Sequence, residues 1–153
     1  MTQSSMTQRL TEDLAIIRQW SQGGRGVPYP EIDTINVAIG DGTSVLVAGI
    51  GNALRVDFNA IITGAYLIEF DGITGSVVAT IDKASPVVGS APSFTSIIGS
   101  SPLNLVSGRY YADETLAGWT VQIARGDVLR FLISSATAIT RILVALRIRR
   151  LEP

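Results

Sequence analysis

At 153 residues and a net charge of −1, the chain is expected to form one domain with a short appendage. It has no Cys and no His, which excludes disulfides, thiolate metal sites, thiol catalysis and the commonest general base and metal ligand. Charged residues make up only 16%, against about 25% in an ordinary soluble domain. The surface should therefore be rich in small polar residues and partly covered by other subunits, with no electrostatic footprint for nucleic acid or a membrane.

The first five residues, Met-Thr-Gln-Ser-Ser, lack the basic head and apolar centre of a secretory signal. No run of the chain approaches the roughly 18–20 apolar residues of a membrane span. Ser5 and Gln8 fit a helix capping box. Met6, Leu10, Leu14 and Ile17 then recur at helical spacing, with Trp20 widening the stripe. A lone helix of about 15 residues is marginal in water. This one must dock on its own domain, on copies of itself, or on a partner as an anchor. Residues 21–34 contain three glycines and two prolines before position 31 and read as a linker.

From Ile35 onward the pattern is strands and turns. Ile35, Val37 and Ile39 alternate and stop at Gly40-Asp41-Gly42. Val45 to Ile50 is an apolar run ended by Gly51-Asn52, a hairpin signal. Leu54, Val56 and Phe58 alternate with Arg55 and Asp57. Within 62–70, Ile62, Tyr66, Ile68 and Phe70 are placed on one face with Gly64, and Asp71-Gly72 makes the next turn. Val77, Ala79 and Ile81 line the following strand. Residues 84–118 are looser, with apolar pieces at 94–98 and 103–106, and Trp119, Val121 and Ile123 resume the alternation.

The clearest alternation comes last. Leu129, Phe131 and Ile133 share one face, as do Ile142, Val144, Leu146 and Ile148. About eight short strands at regular spacing predict an all-β fold, an antiparallel β-sandwich of jelly-roll type over 35–153. No internal repeat is evident.

Catalytic candidates are few. Glu69, Asp71 and Asp82 could face one another across the Asp71-Gly72 hairpin. A glycosidase needs two carboxyls about 5–9 Å apart in a cleft, and here one sits in a turn and the others fall on the expected solvent face. Without His there is no Ser-His-Asp triad, and nothing marks Lys83, the only Lys, as a nucleophile. Arg125-Gly126-Asp127 reads as a hairpin turn rather than an adhesion tripeptide. Gly40-Asp41-Gly42-Thr43-Ser44 lacks the Lys of a phosphate loop and the acidic spacing of a calcium loop. No catalytic residue, metal or cofactor is expected. Arg147, Arg149 and Arg150 read as guards of an edge strand. Tyr110 and Tyr111, in the looser region, are candidates for recognising a partner or a glycan, or for packing in a subunit interface.

Several short pieces, in order, resemble a small β domain of tailed-bacteriophage tail-fibre and virion structural proteins. They are Gly40-Asp41-Gly42, Ile62-Thr63-Gly64-Ala65, Gly75-Ser76-Val77-Val78, Leu116-Ala117-Gly118-Trp119, the run from Arg125 to Phe131, and Ile139-Thr140-Arg141. Together they span about residues 35–149. The chain departs from the pattern after Ile81, where Asp82 stands in place of an aromatic, and over 84–118. The resemblance implies a virion component displayed outside the particle, a homotrimer, assembled in the host cytoplasm and contacting other capsid or tail proteins. Two architectures follow: a short fibre or spike tip whose loops meet a host surface glycan, or a capsid decoration protein gripped to the shell by its N-terminal helix. A glycan-processing enzyme is the distant alternative.

Overall fold

Period-two alternation becomes two packed sheets. The computed structural model describes residues 31–151. The helix expected over 1–20, with Met6, Leu10, Leu14, Ile17 and Trp20, and linker residues 21–30 lie outside the described residues. Ten strands form: β1 (Ile32–Gly40), β2 (Gly51–Arg55), β3 (Ala60–Ile68), β4 (Gly75–Ala84), β5 (Thr95–Ser96), β6 (Leu103–Gly108), β7 (Tyr110–Asp113), β8 (Gln122–Ile123), β9 (Val128–Thr137) and β10 (Arg141–Arg150). The first strand starts at Ile32, so the last residues assigned to the linker, up to 34, belong to the sheet.

One sheet runs β1-β10-β3-β7, with β8 also on β3; the other runs β2-β9-β4-β5, with β6 also on β4. Every pairing is antiparallel. The chain crosses between sheets so that its last strand lies beside its first, and its second beside its ninth. That is the jelly-roll layout of two Greek keys. The looser stretch 84–118 supplies real strands. β5 and β6 together flank β4, and β7 and β8 together flank β3, each pair acting as one strand interrupted by a loop.

The core lies between the inner faces. Val37 and Ile39 of β1, Leu67 of β3, and Ile142, Val144, Leu146 and Ile148 of β10 meet Val77, Ala79 and Ile81 of β4 and Leu129, Phe131 and Ile133 of β9. Phe131 is the largest side chain wholly buried. Each fully buried Leu or Ile contributes roughly 1.5–3 kcal/mol through lost apolar exposure.

Three local expectations are corrected. Gly51-Asn52 is not a turn but the start of β2; a Cβ at Gly51 would sit 1.9 Å from the Phe131 carbonyl oxygen, so glycine is needed for close approach to β9. The turn comes earlier, where the Ile50 N–H donates to the Val47 carbonyl, and Val45, Val47 and Ile50 are exposed. In β3 the register with β10 shifts between Arg147 and Ile148, leaving Thr63 unpaired as a bulge. The extra residue swaps the faces, so that Ala65 and Leu67 point inward while Tyr66 and Ile68 point outward.

The third correction concerns the terminal arginines. β10 is not an edge strand but lies between β1 and β3. Arg147 serves the bulge instead: its Nε donates to Thr63 Oγ1 at 3.1 Å and its Nη2 to the Thr63 carbonyl at 3.1 Å. One edge of this sheet is β1. There Ala38 turns its carbonyl away from β10 and accepts from Asn52 Nδ2 at 2.6 Å, and the Thr34 N–H donates to the Asp33 carboxylate.

Leu146→Ala should therefore cost about 2–5 kcal/mol, the usual range for a buried Leu. Arg147→Ala, which frees the bulge carbonyl, should cost about 1 kcal/mol. Urea unfolding of the two variants measures both, and a neutral Arg147→Ala would show that the bulge holds without its guanidinium.

Candidate functional site

The outer face of the β1-β10-β3-β7 sheet is built by register. Residues alternate with the buried set, so Ala38, Leu143, Ile68 and Tyr110 form one cross-strand row, and Asn36, Ala145, Tyr66 and Ala112 form the next. The rows hold no charged side chain. Tyr110 is 63% exposed. Its ring lies 6.3 Å from that of Tyr66, centroid to centroid, with the planes 18° apart, an offset arrangement that suits the aromatic quadrupoles. The hydroxyl end of Tyr66 reaches back over Gly64. A Cβ at Gly64 would come within 2.6 Å of its hydroxyl oxygen, so a larger residue there would push the far end of the ring aside.

The rim of this face is polar and internally paired. The Tyr66 hydroxyl donates to Glu114 Oε1 at 2.8 Å. Arg147 Nη1 donates to the same oxygen at 3.2 Å. The hydrogen bond to Glu114, helped by partial burial, raises the Tyr66 phenol above its ordinary range. The two tyrosines singled out in sequence diverge: Tyr110 faces solvent, whereas Tyr111 packs against the core and burial raises its phenol. Tyr66, Ile68 and Leu143 join the face only through register, with no local signal to mark them.

At the end formed by loops 41–50 and 69–74, Arg141 pairs with Asp71 through both Nε and Nη2 and lies 4.6 Å from the Phe70 ring centroid. The Asp71 pairing raises the Arg141 guanidinium further. Beside it, a cleft of about 450 Å³ opens between β1 and the 41–50 loop, lined by Ile39, Asp41, Val45, Val47 and Asn52 among others. Asp41 accepts the Thr43 and Ser44 N–H groups. The Ser44 bond first and the Thr43 bond second hold its carboxyl below the ordinary value.

The carboxylates considered for catalysis are each engaged separately. Glu69 is not on the solvent face. The bulge turns it inward, where it is 4% exposed and accepts the N–H groups of Asp71, Gly72 and Ile73 at 2.7, 3.1 and 2.9 Å. Asp71 belongs to Arg141, and Asp82 to Arg130 at 2.7 Å. In Arg125-Gly126-Asp127 the Asp side chain is buried and accepts from Ser85 Oγ and the Ala124 N–H, so the tripeptide presents no free carboxylate. Lys83 donates to the Gln122 carbonyl at 2.8 Å and lies 3.7 Å from Asp127. Among the described residues no group of three or more His, Cys, Asp or Glu is placed to hold a metal.

No known protein family matches the chain, and no curated protein does. Among solved structures it is weakly similar to that of the infectious bursal disease virus Gx strain, at TM-score 0.34 and 7% identity, over 80% of this chain and 40% of that one. It thus spans under half the length of that viral chain. A second similarity is to the N-terminal cellulose-binding domain of Cellulomonas fimi β-1,4-glucanase C, at TM-score 0.38 and 10% identity, covering 77% and 88%. A third is to the cyanophage Pam1 capsid asymmetric unit, at TM-score 0.30 and 15% identity, covering 78% and 85%.

Gly64→Ala should displace the Tyr66 ring and break its bond to Glu114, at a cost of about 1–3 kcal/mol. Loss of the near-ultraviolet tyrosine dichroism together with a lower urea midpoint would show it; an unchanged spectrum would mean that the ring does not depend on the glycine.

A second outcome concerns acid. The Leu116 N–H, with the Thr115 hydroxyl and N–H, holds Asp113 below its ordinary value of 3.8, and Asp41 shares that direction. Lowered folded-state values contribute stability that is present above the unfolded value and lost as the pH falls through the folded one. The thermal midpoint should drop on acidification below about pH 4, and less steeply in Asp113→Asn.

Proposed function

We propose that this chain is a non-enzymatic structural protein on the surface of a tailed-bacteriophage virion, a short trimeric fibre or spike tip that docks through the outer face of its β1-β10-β3-β7 sheet. The observation that carries the reading is that face. It sets the exposed Tyr110 beside half-buried Tyr66, Ile68 and Leu143, on a jelly roll whose candidate catalytic carboxylates are each held by internal partners. The resemblance of the turns and apolar pairs over 35–149 supports the virion setting.

The polarity of the domain suits a protein held at one end. Glu31 and Arg150 are joined by a backbone hydrogen bond, and the Leu151 N–H donates to the Asn59 carbonyl. The chain therefore enters and leaves the domain at one end. The exposed side chains of Val45, Val47, Ile50 and Phe70 belong to the loops at the other end, and Tyr110 pairs with Ile68 at the end of β3 nearest them. Tyr110 and these loops thus lie away from the end at which residue 31 enters the domain.

Purified protein should scatter light as three times the 16.2 kDa chain. Gold-labelled antibody on intact particles should mark the tail. Label over the head would transfer the protein to capsid decoration, and unlabelled particles would remove it from the virion. Deleting residues 1–20 should leave the domain's thermal transition nearly unchanged and abolish incorporation. Incubation with host envelope polysaccharide should release no new reducing ends. Activity that disappears in Glu69→Gln or Asp82→Asn would overturn the non-enzymatic reading.

A further inference from the structure

We propose that the outer face of the β2-β9-β4-β5 sheet, with β6, joins this chain to a second copy of itself. The inference rests on the oligomer of the proposed reading and names the surface that holds it together. Register fixes the face. Val77, Ala79 and Ile81 of β4 and Leu129, Phe131 and Ile133 of β9 belong to the core, so the residues between them point outward. Leu132 and Thr80 are cross-strand neighbours, as are Val78 and Asn104, and Ala53, Arg130 and Asp82 form a third row. Ala53, Asn104 and Val106 are exposed, and Leu132, Thr80 and Val78 are half-buried.

Charge is the first support. Covering an unpaired charge is costly, and the centres of interfaces are depleted in charge. Each charged side chain on this face already meets its opposite within the domain. Arg130 Nη2 donates to Asp82 at 2.7 Å, with the guanidinium 4.0 Å from the Phe94 ring centroid. At the margin Arg55 meets Asp57 at 2.8 Å. The other sheet differs: its outward face carries the exposed Arg149, and the exposed Arg109 stands beside Tyr110.

The same charges select a second copy over a foreign partner. The face is neutral as a whole, so it exerts no pull on an acidic or a basic surface. Arg130 and Asp82 stand side by side, one of each sign, and an identical face presents an opposite to both. Thr80 and Asn104 can donate as well as accept, and Val78, Leu132 and Val106 need only apolar neighbours. Every outward group can thus be met by its own kind.

Area is the second support. β4 and β9 are each ten residues long. At about 3.3 Å per residue and about 4.8 Å per strand, the five strands offer about 500 Å² in plan. Side chains standing on the sheet raise its accessible area above that. A stable interface takes about 800 Å² from each partner, so the whole face is of the class that holds a second copy.

Sedimentation velocity of the full chain and its variants tests the assignment. Ser135 and Asn104 both pair with Val78 and are exposed, so each tolerates a longer side chain in the folded domain. Ser135→Arg and Asn104→Arg should each raise the concentration of half-dissociation by about tenfold or more, with the circular dichroism unchanged. Asn36→Arg, equally exposed on the other sheet, should leave the oligomer intact, and so should removal of residues 1–20. A full-length chain that is monomeric at micromolar concentration, or an oligomer that survives both substitutions, would overturn the proposal. So would one dispersed as readily by Asn36→Arg. An oligomer lost with residues 1–20 would give the contact to that segment and overturn the proposal as well. Particles whose labelled chain keeps its assembly in Ser135→Arg would sink this inference alone. An oligomer dispersed by Ser135→Arg but missing from particles would sink the virion reading alone.

Discussion

The pairing of β10 with both β1 and β3 is the constraint on which the rest of the structure depends. It places Ile142, Val144, Leu146 and Ile148 at the centre of one wall of the core. It closes the chain's last strand onto its first, which is what makes the two sheets a jelly roll rather than a pair of independent meanders. It also aligns the outward residues of four strands into rows, so Leu143 and Ala145 lie between the contributions of β1 and those of β3 and β7. Without β10 the tyrosines would have no apolar floor beside them.

A single inserted residue then sets the character of that face. Thr63 has no partner across the ladder, and its bulge exchanges inside for outside along the rest of β3. Tyr66 becomes a surface residue and Glu69 an internal one. Arg147 takes the carbonyl that the bulge leaves free and also reaches Glu114, which in turn holds the Tyr66 hydroxyl. One guanidinium therefore connects the backbone irregularity to the orientation of the ring.

The strands read best in sequence were those with strict alternation and no irregularity, above all 128–134 and 140–148. Their inner residues are the buried ones, because nothing interrupts the period of two. Reading failed where the period was broken. The bulge at Thr63 misplaced Tyr66 and Glu69 by one face. The stretch 84–118 looked irregular because its strands are split by loops with left-handed residues at Leu116 and Gly118, although each fragment still pairs. Gly51 looked like a turn because a glycine demanded by close packing and one demanded by a turn are the same letter. Whether a strand is central or at an edge is a property of topology, which alternation does not carry, and so Arg147, Arg149 and Arg150 lie on a central strand rather than on the expected edge. Of the face itself, Tyr110 was visible as an aromatic in a polar stretch. Its companion on β3 emerges only from the pairing.

Three arginines share a further arrangement. Arg130 lies on Phe94 and pairs with Asp82, Arg141 lies on Phe70 and pairs with Asp71, and Arg150 lies on Phe58 and pairs with Asp33. Each ties a loop or strand end to an interior strand, with the charge met by a carboxylate and the flat side by a ring. The free edge of β1 is treated differently, since Asn52 occupies the Ala38 carbonyl and Asp33 the Thr34 N–H. An exposed strand is a template on which another chain can crystallise as added sheet. With two of its polar groups already turned to the domain's own side chains, this edge offers a second strand a broken template.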